Sequence, residues 1–169
     1  MTENPRVLLK TNFGDLEVEL FEELAPITVA NFLRYVDEGF YDNVLFHRLV
    51  KNFVIQGGGY DLDFNHKDGF APIVNESTNG LSNVPYTLSM ARTSAPNSAT
   101  SQFFINLVDN SAHLDAKVTE SGEVQSWGYA VFGRLTSGFK ELEAIAGKKV
   151  REMDIPVENL FIESAKRIN

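Results

Sequence analysis

The sequence predicts a mainly β fold: a closed antiparallel barrel of about eight short strands with two capping α-helices. Three observations point there. Short candidate strands recur along the chain, separated by Gly, Asn and Pro turns. Only two stretches carry the apolar period of a helix. The 13 Phe residues, against 3 Met, supply bulk for a filled interior. The 169 residues suit one domain, and no repeat, low-complexity tract or linker divides residues 1–169.

The elements follow in chain order. Residues 7–11 and 15–20 form a hairpin, because Asp15-Leu16-Glu17-Val18-Glu19-Leu20 alternates polar and apolar and Asn12-Phe13-Gly14 supplies the turn. A helix then starts at Pro26, whose missing N–H is harmless in a first turn. Val29, Phe32, Leu33 and Val36 make its apolar stripe, and Gly39 stops it. Further strands are expected at 45–50, 53–56, 87–91, 102–106, 129–134 and 160–165. A second helix is expected over 139–146, with Phe139, Leu142 and Ile145 inward and Gly147 after it. Residues 59–85 and 109–126 read as long loops, and loops of that length in a compact domain usually serve function.

Composition excludes several function classes. A net charge of -8 repels nucleic acid. The absence of Cys removes thiol catalysis and Cys-based metal or iron–sulfur sites, and it fits a reducing compartment. Residues 1–9 lack the basic start and long apolar run of a secretory signal, and no segment approaches a membrane span. A soluble cytoplasmic protein is expected.

Familiar cofactor and metal signals fail. Gly57-Gly58-Gly59 lacks the spacing of a dinucleotide or phosphate loop. Asp61-Leu62-Asp63-Phe64-Asn65 opens like a calcium loop, but His66 and Pro72 stand where Gly and Glu are required. His47, His66 and His113 have no metal-ligand spacing. No metal and no cofactor are expected.

Three strand positions stand out. Arg48 interrupts an otherwise apolar strand; it either points to solvent from a half-buried strand or serves a site. If Phe103 and Ile105 fill the barrel, Gln102 and Phe104 share the outer face, where Phe104 is either covered by a loop or part of a binding surface. Gln56 precedes glycines that allow close backbone approach, and taken alone it reads as a structural amide.

Together these residues resemble a known family. Phe46-His47-Arg48, Phe53-x-x-Gln56-Gly57-Gly58, Leu88-Ser89-Met90-Ala91, Ser101-Gln102-Phe103-Phe104-Ile105 and Val131-Phe132-Gly133 are similar, in order and spacing, to the cyclophilins. Phe13-Gly14-Asp15 and Ala25-Pro26-x-Thr28-x-x-Asn31-Phe32 agree, and the short link from Gly39 to Phe46 resembles the bacterial branch. The resemblance implies an eight-stranded barrel with a site on its outer wall, and cis/trans isomerisation of Xaa-Pro bonds. It implies Arg48 as the catalytic residue, helped by Phe53, Gln56 and Phe104. Phe53, Val54, Phe104 and Leu114 would form an apolar proline pocket. Gln56, Ala91, Arg92, Thr93 and Gln102 would line the peptide groove. His47, His113 and Tyr129 complete the substrate-binding set. The chain departs from the commonest eukaryotic pattern at Val54 (usually Met), Arg92 (Asn), His113 (Trp) and Tyr129 (His), and the loop 115–126 is expanded. The partners so implied are proline-containing peptides and unfolded or folding proteins, met by a monomer. Cyclosporin should bind weakly, since an imidazole offers less apolar area than an indole. Two other readings stay open: a non-catalytic proline-peptide or chaperone module on the same fold, and a small-molecule carrier barrel.

Overall fold

A computed structural model describes residues 3–169. In chain order the elements are β1 (Arg6–Thr11), β2 (Gly14–Leu20), α1 (Pro26–Asp37), β3 (Val44–Leu45), β4 (Arg48–Val50), β5 (Val54–Gly57), β6 (Thr87–Met90) and β7 (Phe103–Asn106). Then follow α2 (Ser111–Leu114), β8 (Lys117–Val118), β9 (Val124–Ser126), β10 (Val131–Ser137), α3 (Phe139–Ala146), β11 (Val150–Arg151), β12 (Ile155–Pro156) and β13 (Phe161–Arg167). One antiparallel sheet runs in the order β3-β13-β1-β2-β10-β6-β7-β5-β4, and β8–β9 and β11–β12 are separate hairpins.

The β1–β2 hairpin forms where the alternation predicts it. Gly14 takes φ 118°, a left-handed value that favours glycine, and Thr11 Oγ1 donates to its carbonyl at 2.6 Å. Leu16, Val18 and Leu20 are fully buried, so the polar alternates face out.

The expected strand at 45–50 is a correction. It breaks at Phe46-His47 into β3, paired with β13, and β4, paired with β5. Phe46 turns into the core beside Phe103, and its N–H goes to Leu160 at 2.8 Å, so the segment changes partners partway along. The sheet is therefore a curled nine-stranded half-barrel whose two edges are halves of one stretch of chain, rather than a closed eight-stranded barrel.

Helix α1 buries the predicted stripe of Val29, Phe32, Leu33 and Val36. No side chain of its own caps it. The Glu76 carboxylate does so, accepting from Thr28 N–H and Oγ1 at 2.6 Å each. Phe32 meets Phe103 and Phe132 at ring distances of 5.3 and 5.1 Å, which ties the helix to the sheet interior. Leu142 and Ile145 of α3 join the same core, but Phe139 is a second correction. It stands at the first helical position, 42% exposed, edge-on to Tyr86. The supposed loop 109–126 also holds structure, namely the single turn α2 and the β8–β9 hairpin.

Strand alternation separates two apolar clusters. Leu49, Ile55, Phe103 and Ile105 belong to the main core. Val54, Phe104 and Leu114 form a second cluster, with Phe53, Ala91 and Tyr129 packed against it. Phe104 thus lies on the face opposite Phe103 and Ile105, as the pattern requires. It is nevertheless only 4% exposed, because Leu114 and Tyr129 cover it.

Candidate active site

The second cluster floors a cavity of about 210 Å³ lined by Arg48, Phe53, Val54, Gln56, Ala91, Arg92, Phe104, Leu114 and Tyr129. All nine belong to the set singled out from the sequence. Ladder register explains how they meet. Arg48 on β4 pairs with Gln56 on β5, which pairs with Phe104 on β7. Three positions from three strands therefore stand side by side on one face.

Hydrogen bonds orient the polar wall. Arg48 Nη1 donates to Gln56 Oε1 at 3.2 Å, and Gln56 Nε2 donates to Gln102 Oε1 at 2.9 Å. The other N–H groups of Arg48 have no protein partner among the described residues, so the guanidinium can donate to a guest. The glycines after Gln56 give this wall its thinness. A Cβ on Gly58, which sits at φ 96°, would lie 2.7 Å from the Ser101 carbonyl oxygen, and one on Gly59 would lie 2.5 Å from Gln102 Nε2. Only glycine lets the Gln102 side chain lie there.

Arg92 closes the opposite side. It donates to the carbonyls of Gly128 (3.2 Å), Thr93 (2.9 Å) and Trp127 (3.1 Å), and its guanidinium carbon lies 4.5 Å from the Tyr129 ring centroid. Tyr129 in turn stands edge-on to Phe104 at 5.7 Å.

A second cavity of about 330 Å³ adjoins the first and shares Gln56, Ala91 and Arg92 with it. Thr93 and Gln102 line this one, together with His66, Ser98 and Thr100, which the sequence reading did not single out. His66 arrives because Tyr60 and His66 form an isolated bridge inside the loop, an arrangement no local pattern announces.

Two of the expected substrate-binding residues line neither cavity. His113 is exposed on α2, one position before Leu114, and consecutive helical positions face different directions. His47, next to Arg48, packs its ring 4.6 Å from Tyr60, and its Nδ1 is buried without a partner. Burial, then the charges of Arg48 and His66, push its pKa down to about 4, so the imidazole is neutral and Arg48 keeps the local positive charge.

A buried polar network behind the apolar wall also escaped the sequence. Asn83 Oδ1 accepts from Ser89 Oγ (2.6 Å) and Asn106 Nδ2 (3.0 Å), while its Nδ2 donates to Asp115 Oδ1 (2.9 Å) and to the Tyr129 carbonyl (3.2 Å). Asn110 Nδ2 donates to the Phe53 carbonyl at 2.9 Å, and Leu114 N–H returns to the Asn110 carbonyl at 2.9 Å. Backbone groups of Phe53, Leu114 and Tyr129 are thereby tied to one network. In the sequence Asn83 and Asn110 fall within the two long loops and Asn106 ends an expected strand, so no local pattern joins them.

The failed calcium loop is explained locally. Asp61 Oδ1 accepts from the N–H groups of Asp63 and Asn65 at 2.9 Å each, an Asx turn. No cluster of three or more potential metal ligands occurs among the described residues.

Comparison with known proteins gives a consistent picture. The chain matches the family model described as cyclophilin type peptidyl-prolyl cis-trans isomerase/CLD over residues 6–167. It is 48% identical over 164 residues to a peptidyl-prolyl cis-trans isomerase of Streptomyces antibioticus, covering 95% of this chain and 96% of that one. Against peptidyl-prolyl cis-trans isomerase B of Escherichia coli K12 it is 45% identical, covering 94% and 96%. The crystal structure of a Cryptosporidium parvum cyclophilin type isomerase superposes with a TM-score of 0.83 at 28% identity, covering 98% of each chain. With a matching profile over nearly its whole length, and close relatives of the same size, the chain belongs to the cyclophilin-type peptidyl-prolyl cis-trans isomerase family.

Proposed function

We propose that this protein isomerises Xaa-Pro peptide bonds with Arg48 as the catalytic residue and the 210 Å³ cavity as the seat of the prolyl ring. The observation that carries the reading is an arginine with free donors at the edge of an apolar pocket, oriented by Gln56. A solved structure of the C. parvum relative in the presence of the dipeptide Ala-Pro, superposing at TM-score 0.82 and 29% identity, supports a proline-sized guest.

The chemistry needs no nucleophile. The barrier to rotation is amide resonance, about 18–20 kcal/mol. When the bond is twisted, the prolyl nitrogen regains a localised lone pair, and a guanidinium N–H can donate to it. In the planar ground state that lone pair is delocalised and accepts poorly. The hydrogen bond is therefore stronger in the transition state, which is what catalysis requires. Arg suits this role, being always charged and rigid. Phe53, Val54, Phe104 and Leu114 grip the ring while the preceding carbonyl swings. One charge-assisted hydrogen bond supplies about 1.5–3 kcal/mol. An acceleration of about 10^5 needs roughly 7 kcal/mol, so desolvation and orientation in the pocket carry the larger share.

The substrates are proline-containing peptides and folding proteins, and the second cavity extends the groove along the peptide. The protein works as a monomer in the cytoplasm, a reading that rests on its family likeness and its lack of Cys. Among the described residues no helix is long and apolar enough to cross a membrane.

The test is an isomerase assay on wild type, Arg48→Ala and Arg48→Lys. The alanine variant should keep its fold and lose at least about tenfold in kcat/KM, the lysine variant somewhat less. Unchanged kcat/KM in folded Arg48→Ala would remove Arg48 from the reaction.

A further inference from the structure

The donors around the second cavity are oriented by a single fixed fact. Arg48 can only donate, so Gln56 must turn Oε1 toward it, and Gln56 Nε2 must then point to Gln102 Oε1. Gln102 is thereby left with its Nε2 donor, which has no partner among the described residues. Thr100 Oγ1 is likewise unpaired there. His66 Nδ1 lies 3.3 Å from Asp68 Oδ1, and no protein partner of its Nε2 occurs among the described residues. Arg92 adds a fixed positive charge in the wall shared with the first cavity. The acceptors nearby are already engaged: Gln102 Oε1 by Gln56, and Ser98 Oγ by Thr93 N–H at 3.0 Å. No carboxylate lines the cavity.

A wall rich in donors, with Arg92 as its fixed cation, complements an anion. We propose that the second cavity gives this enzyme a preference for substrates with an Asp or Glu side chain close to the proline, and that His66 is the residue that sets it. The inference rests on the isomerase reading above. The two cavities share a wall, so an extended peptide, advancing about 3.3 Å per residue, reaches both with residues near each other in sequence. Asp68 Oδ1, on a fully exposed side chain, lies 3.3 Å from His66 Nδ1, and His66 itself lines the cavity. An acidic side chain there would meet Gln102 Nε2, Thr100 Oγ1 and, in the imidazolium form that has a proton on each ring nitrogen, His66 Nε2, without displacing any hydrogen bond of the protein.

The experiment uses peptides with one Xaa-Pro bond and Glu, Gln, Ala or Lys placed in turn at each of the three positions on either side of it. Wild type should favour Glu over Lys at one position by about fivefold in kcat/KM, the scale of one partly exposed ion pair, and the ratio should shrink in 0.5 M salt. His66→Ala should reduce the ratio toward unity, and His66→Glu should invert it. The ratio within each variant is the readout, so a change in folded fraction cancels. Equal turnover of Glu and Lys peptides by wild type, or a ratio indifferent to His66→Glu, overturns the proposal. Failure of wild type to turn over any of the peptides would instead overturn the isomerase reading.

Discussion

Replacing Phe104 by alanine separates the two apolar clusters experimentally. Phe104 is 4% exposed and would ordinarily count as core. A Phe→Ala change in a sealed core costs about 3–5 kcal/mol, partly because an enclosed void remains. Here the void would merge with the existing cavity of about 210 Å³ at the surface. The enclosed-volume contribution then falls away, leaving a transfer cost of about 1.5–3 kcal/mol. In a domain of this size about 1 kcal/mol shifts Tm by roughly 2–4 °C, so a fall of about 3–12 °C is expected. Activity should suffer more. The ring that floors the pocket would contact the substrate's prolyl ring over a similar apolar area, and its loss should lower kcat/KM by about 10- to 100-fold. Thermal melting and an isomerase assay on the folded fraction, well below Tm, give the two numbers independently. A Tm loss above about 15 °C with normal kcat/KM would make Phe104 a core residue and refute the pocket assignment.

Three further outcomes are expected. His47 has a folded pKa of about 4, below its ordinary 6.5, so the stability it contributes is complete above pH 6.5 and is lost as pH falls toward 4. That loss is at most on the order of 3 kcal/mol; His47→Gln should flatten the melting profile over this window, and identical profiles would show that His47 is not the titrating group. EDTA should change neither rate nor Tm, and activity lost to EDTA and restored by a divalent ion would expose an overlooked metal site. Cyclosporin should bind weakly to wild type and about 5- to 150-fold more tightly to His113→Trp, measured by calorimetry, with peptide turnover little changed; since His113 is exposed and outside the cavity lining, no gain would mean that the drug does not reach this position.

Much of this protein was legible in the sequence because its signals are local. Alternation over Asp15–Leu20 sets which face of β2 is buried, and the same period-2 rule puts Phe104 opposite Phe103 and Ile105. The i, i+3, i+4, i+7 stripe on α1 needs no partner to be recognised. The motif residues that line the first cavity were identifiable because neighbouring strands bring fixed positions together once the family resemblance is granted. What the sequence missed depends on contacts between distant segments. The stretch 45–50 reads as one strand interrupted only by His47-Arg48, and the pairing of its halves with β13 and β5 splits it at Phe46-His47. Phe139 has helical spacing with Leu142 and Ile145, yet the first turn of α3 lies beyond the core and leaves it exposed. Asn83 and Asn110 fall in the expected loops and Asn106 ends an expected strand, and only the fold brings the three together beside Tyr129. His66 enters the second cavity only because its loop folds back on Tyr60. Periodicity records which face of an element is buried; which other segment meets that face is a long-range choice, and the tertiary structure alone decides it.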